Sequence, residues 1–163
     1  MAAALAAGLA FGPGVSAAIG EVEAIGRYRD WRVYTERVDG DLVCFAATPA
    51  EDMAPKSLDH GEVNFFVASW KSGAARNQPS LTVGYDLRPD IAARAIIGRE
   101  RYSMYVAGKE AFVRDEDEDG LVQALKKGSE LRVEAAEQGM RTAYHFSLSG
   151  SSDAIEKAQS LCR

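Results

Sequence analysis

A chain of 163 residues, 47% apolar and 26% charged, has the size and balance of one globular domain that needs no metal staple to bury a core. Its net charge of −5 excludes nucleic acid as the main partner, since phosphate binding rests on clustered cations and the Lys and Arg residues here are scattered.

The first 19 residues, MAAALAAGLAFGPGVSAAI, carry no charge. Val15-Ser16-Ala17 fits the small-x-small pattern read by signal peptidase, so residues 1–18 are expected to be an export signal and 19–163 the mature domain. The signal is atypical, because no Lys or Arg follows Met1. A membrane anchor is the competing reading of so long an uncharged run. Its Ala, Gly, Pro and Ser content makes it weakly lipophilic, so the mature chain is not expected to be an integral membrane protein. The Gly12-Pro13-Gly14 stretch is no dinucleotide fingerprint, since no strand precedes it and a proline interrupts it.

Strand signals dominate the remainder. Trp31 to Thr35 alternates, Asp39-Gly40 marks a tight turn, and Asp41 to Ala47 returns before Pro49. A polar loop with Pro49 and Pro55 leads to Val63–Trp70 (VNFFVASW), rich in aromatic and β-branched residues. Leu81, Val83 and Tyr85 alternate with polar or small neighbours. Tyr102, Met104 and Val106 form the next strand, turning at Gly108-Lys109 into Ala111 to Arg114. Leu131 to Ala136 and Thr142 to Leu148 flank Glu137-Gln138-Gly139-Met140 as a late hairpin. The pattern predicts a mainly β fold, an antiparallel β-sandwich or barrel-like sheet of about eight strands with two short helices.

One helix contains a stretch with the look of a calcium loop. In VRDEDEDGLVQALKKG, Asp115, Asp117, Asp119 and Gly120 match the opening of an EF-hand. The twelfth position must then supply a bidentate carboxylate, and it is Lys126. The same residues make a well-formed helix, with acids at the start, Leu121, Val122 and Leu125 on one face, two lysines in the last turn and Gly128 after them. The helical reading is preferred and no metal is expected. The second helix, Ser152 to Leu161, aligns Ala154, Ile155, Ala158 and Leu161, with Asp153 and Glu156 spaced as a capping box.

Cys44 and Cys162 are the two cysteines. In an oxidising compartment they read as one disulfide, against the alternative of two buried thiols. Neither has a CxxC neighbour, and His60 and His145 are far apart in sequence, so zinc, redox catalysis and cofactors are not expected. No nucleophile elbow, HExxH or phosphate-binding loop occurs, and no catalytic residue is assigned.

Three segments carry a resemblance: DWRVYTE, then GEVNFFVASWKSGAARNQPSLTVGYDLRP, then LVQALKKGSELRVEAAEQGMRTAYHFSLSGSSDAIEKAQSLC. Together they resemble the invasion-associated locus B family, exported proteins of Gram-negative bacteria, from about Asp30 to Cys162. Their most specific parts are FFV followed by Arg76-Asn77, VGYDLRP, and FSLSG before the last helix. The resemblance implies a periplasmic or envelope location, a cysteine pair placed as in shorter members, and a virulence-associated role in host-cell invasion. It supplies no catalytic residues. The expected function is therefore non-catalytic binding of a protein or cell-surface partner. Trp70, Tyr85 and Tyr105 are candidates for a binding face, with core packing the competing use of each. The alternative is an envelope hydrolase acting on cell-wall or host glycans, whose paired carboxylates would line a cleft where a binder shows a flat patch.

Overall fold

The computed structural model describes residues 21–163, and the expected export signal lies outside the described residues. Strands β1 (Glu23–Tyr28), β2 (Trp31–Val38) and β3 (Asp41–Pro49) form an antiparallel meander. Asp39 and Gly40 turn β2 into β3, both at positive φ (49° and 85°), as a two-residue hairpin loop of this hand requires. β4 (Asp52–Ala54), β5 (Asn64–Trp70), β6 (Gln78–Thr82), β7 (Ala93–Ile97), β8 (Glu100–Ala107) and β9 (Glu110–Val113) follow. Helix α1 (Asp115–Lys127), the hairpin β10 (Glu130–Glu137) and β11 (Met140–Ser147), and helix α2 (Ser151–Leu161) complete the order.

All strands belong to one antiparallel sheet, ordered β1-β2-β3-β5-β6-β9-β8-β7-β10-β11-β4. The sheet is open, yet it curls until its two ends meet. The Trp31 indole N–H donates to Ser147 O at 2.9 Å, and Asp30 N–H reaches Ser149 O at 3.2 Å. Inside the curl, residues paired across strands share a face, so Val33, Ala46 and Val67 form one buried row. Phe65, Leu81 and Ala111 form another. The halves meet where Phe65 and Phe146 pack, ring centroids 5.7 Å apart. The result is sandwich-like, with one continuous core.

Eleven strands replace the expected eight within the same class. The three additional strands had weak signals. β1 carries a bulge between Ala24 and Gly26 that breaks its alternation, and β4 is three residues long. β7 (ARAII) points Ala93 and Ala95 inward, and alanine gives little strand signal. The ladder expected over Leu81 to Tyr85 ends at Thr82, though Val83, Tyr85 and Leu87 continue to point into the core.

α1 begins at Asp115, so the three aspartates are helical rather than wrapped in a loop. Successive residues advance by 100°, which sends Asp117 to the side opposite Asp115 and Asp119. Carboxylates so divided cannot converge on one ion. Lys126 instead reaches Glu156 of α2 at 3.6 Å. Gly128 follows the helix in extended backbone rather than a left-handed cap, its N–H bonded to Ala124 O at 2.9 Å.

α2 packs on β2 and β3 through Ala154, Ile155 and Ala158. Its expected capping box is not formed. The helix starts one residue earlier, at Ser151, with Gly150 as N-cap and no side-chain cap. Ser151 is buried and donates to Leu125 O of α1 at 2.8 Å, so its hydroxyl joins the two helices. Gly150 has φ +89°, and a Cβ there would lie 1.9 Å from Tyr28 O. The position admits glycine alone. Cys162 closes the helix in a disulfide to Cys44 of β3, with Cα atoms 5.8 Å apart.

Candidate functional site

Four buried polar side chains, His60, Tyr144, Tyr85 and Thr142, form a chain of hydrogen bonds inside the curl. His60 Nε2 lies 2.8 Å from Pro55 O, which can only accept, so Nε2 carries the proton and Nδ1 accepts from Tyr144 OH at 2.9 Å. Tyr144 then accepts from Tyr85 OH, and Tyr85 accepts from Thr142 Oγ1 at 2.9 Å. Every member has a partner, and no buried side-chain N or O among the described residues lacks one. Burial raises the phenol of Tyr85 above the ordinary tyrosine value and pushes that of Tyr144 well above it, so both remain donors. The chain joins the loop after β4 to β11 and to the segment after β6. Its role is to hold those parts together.

The same segment explains VGYDLRP. Val83 N–H bonds Lys109 O at 3.0 Å, Gly84 N–H bonds His60 O at 2.8 Å, and Leu87 N–H bonds Gly108 O at 2.9 Å. Arg88 then grips the β10–β11 turn, donating to Gln138 O at 2.6 Å and, through two nitrogens, to the Asp90 carboxylate. A Cβ on Gly84 would lie 2.6 Å from the Gly61 Cα, so the two backbones cross with no room for a side chain. His145, by contrast, is on the outer face, bonded to Glu130 at 2.8 Å. Among the described residues no cluster of three or more His, Cys, Asp or Glu is placed to hold a metal.

The outer face of β2, β3, β5, β6, β9 and β8 is different in kind. Register puts Ala47, Phe66, Ser80, Phe112 and Tyr105 in one row across five strands. Tyr34 and Phe45 form the adjoining pair on β2 and β3. The rings touch: Tyr34 stacks on Phe45 at 5.3 Å, Phe45 meets Phe66 edge-on at 5.7 Å, and Tyr105 stacks on Phe112 at 5.7 Å. Tyr105 is 51% exposed, and Tyr34, Phe45, Phe66, Trp70 and Phe112 are half-buried.

Two shallow grooves flank the Phe45–Phe66 ridge. One, of about 540 Å³, is lined by Tyr34, Arg27, Arg32, Asp30, Glu51 and Asn64 among others. The other, of about 440 Å³, holds Val43, Trp70, Phe112, Gln78, Ser80 and Thr82, and its charged side chains are Glu36 and Glu110.

Of the three aromatic candidates, Trp70 and Tyr105 are on this face. Tyr85 is not: it is buried in the hydrogen-bonded chain, which is the core-packing use weighed for it from sequence, and it leaves the list of binding-face candidates. Tyr34, Phe45, Phe66 and Phe112 were not singled out from sequence. For Phe66 and Phe45 the signal was present in VNFFVASW and DLVCFAAT, where apolar residues occupy both parities of the strand. Such runs mark strands with two apolar faces, and here the core takes only one of them. Compared with family models, curated proteins and solved structures, the chain matches none.

Proposed function

We propose that this chain is an exported, non-catalytic protein of the invasion-associated locus B family, retained in the periplasm or envelope, that holds a protein or cell-surface partner on its outer aromatic face. A role in host-cell invasion belongs to the same reading. One observation carries the binding role: half-buried and exposed aromatic rings from five strands, Tyr34–Phe45–Phe66 and Phe112–Tyr105, touch one another on the outer face, with grooves on both sides of the Phe45–Phe66 ridge. Contiguous apolar surface of this kind on a soluble domain marks an interaction site. The Cys44–Cys162 disulfide supports an oxidising compartment. Among the described residues no helix is long and apolar enough to cross a membrane.

Site-specific photo-crosslinking in intact bacteria tests it. A photoreactive residue at Tyr105 should trap a discrete adduct, whereas one at Arg132, on the outer face of β10, should not. Equal adducts from both positions, or none from Tyr105, would remove the face from consideration.

A further inference from the structure

The two grooves differ in charge, and the difference bears on what the face receives. In the groove lined by Trp70 and Phe112 the charged side chains are carboxylates, Glu36 on β2 and Glu110 on β9. Neither is paired with a Lys, Arg or His among the ion pairs of the described residues. Three strands lie between β2 and β9, roughly 19 Å at ~4.8 Å per strand. Register aligns Glu36 with Trp70 but Glu110 with Asn64 on β5, a further ~20 Å along the strands. The carboxylates therefore stand at opposite corners of the groove, on the order of 28 Å apart. Val43, Phe66 and Trp70 supply the apolar floor between them.

Building on the binding role proposed above, we infer that this groove receives an extended segment of a partner protein whose apolar side chains are flanked by lysine or arginine. Charge complementarity selects it. A segment with acidic ends would set like charges against Glu36 and Glu110, whereas a cationic one meets a carboxylate at each end and lays its stems on the aromatic rings. At ~3.3 Å per residue, about nine extended residues running diagonally over the strands cover the span. Charge favours a peptide over a neutral or acidic glycan, since such a glycan offers no cation to Glu36 and Glu110.

Trp70 makes the groove observable, because the other tryptophan, Trp31, is fully buried. Three synthetic decapeptides are titrated against the oxidised protein: alternating Lys-Leu, alternating Glu-Leu and alternating Lys-Ser. The Lys-Leu peptide should shift Trp70 fluorescence and bind at least tenfold tighter than either control. The double variant Glu36→Gln/Glu110→Gln should lose that tenfold, and Glu116→Gln/Asp119→Asn on α1, with the same change in net charge, should lose nothing.

Equal loss in both double variants would show attraction to net charge alone and overturn the inference. Equal binding of Lys-Leu and Glu-Leu, abolished by Phe66→Ser/Phe112→Ser, would also overturn it while leaving the aromatic face as a binding site. Failure of every peptide overturns it whatever the Tyr105 crosslinks show, and failure of those crosslinks too removes the binding role itself. Self-association that Phe66→Ser/Phe112→Ser dissolves would assign the face to a second copy instead.

Discussion

Gly84 lies in a crossing of two backbones, where a methyl group would press on the Gly61 Cα at 2.6 Å and on His60 O at 2.7 Å. Neither neighbour is a flexible side chain that can swing away. Relief requires the His60–Gly61 loop to move, and that strains the bonds from His60 to Pro55 and Tyr144. Gly84→Ala is therefore expected to cost at least the ~1–3 kcal/mol typical of overpacking a filled site, read as a lower urea midpoint with an unchanged slope. A midpoint within error of wild type would show that the loop yields freely. VGYDLRP stood out in sequence, but its meeting with His60-Gly61 was not legible there, because 23 positions separate His60 from Val83 and no periodicity links them.

The last helix is short and terminal, the position where fraying is otherwise expected. Its buried face is built of Ala154, Ile155 and Ala158, two of them small, so the area that anchors it is modest. Three further ties hold it: Ser151 to Leu125 O, Lys126 to Glu156, and the disulfide. The ion pair is exposed on the Glu156 side and adds little. The disulfide spans a sequence separation of 118, and closing so long a loop restricts the unfolded chain by about 5 kcal/mol before native strain. Cys162→Ala should lower the melting temperature markedly while the far-ultraviolet β signal persists. Unreduced protein in denaturant should label no thiol with a maleimide and gain two after reduction. Two thiols without reduction would show the bond absent in solution and leave α2 to its packing and the hydroxyl of Ser151.

At the scale of the molecule, the sheet spends one face on a continuous core and sets touching aromatic rings among polar residues on the other over about half its width. An aqueous compartment tolerates such a surface when a partner covers it, and the export reading names the compartment. The chain recovered from the periplasm should therefore begin near Ala18, after the Val15-Ser16-Ala17 pattern. N-terminal sequencing checks this, and soluble cytoplasmic protein retaining Met1 would overturn it. The segments that carry the family resemblance prove architectural. Asn77 turns the chain at φ 48° after β5, VGYDLRP ties three loops together, and Gly150 of FSLSG passes Tyr28 at a distance only glycine permits. The same segments also supply the outer face with Tyr34 of DWRVYTE, Phe66 of FFV and Trp70.

Local physics in the sequence determined the class of fold, both helices, the Asp39-Gly40 and Glu137–Met140 turns, and the failure of the calcium motif. Each depends on neighbours within about a dozen positions: alternation, caps, turn residues, a ligand count. Tertiary structure alone decided how the faces are used. Alternation says that Phe45 and Phe66 oppose Cys44 and Phe65, but with both parities apolar it cannot say which side meets the core. That choice is made by the curl of the sheet, which brings Phe65 to Phe146 and Trp31 to Ser147. It buries Tyr85 with Tyr144 and turns Phe66, Phe112 and Tyr105 outward. The cause is range, for a strand's pleat is local while the register that fixes its inner face is set by partners a hundred residues away.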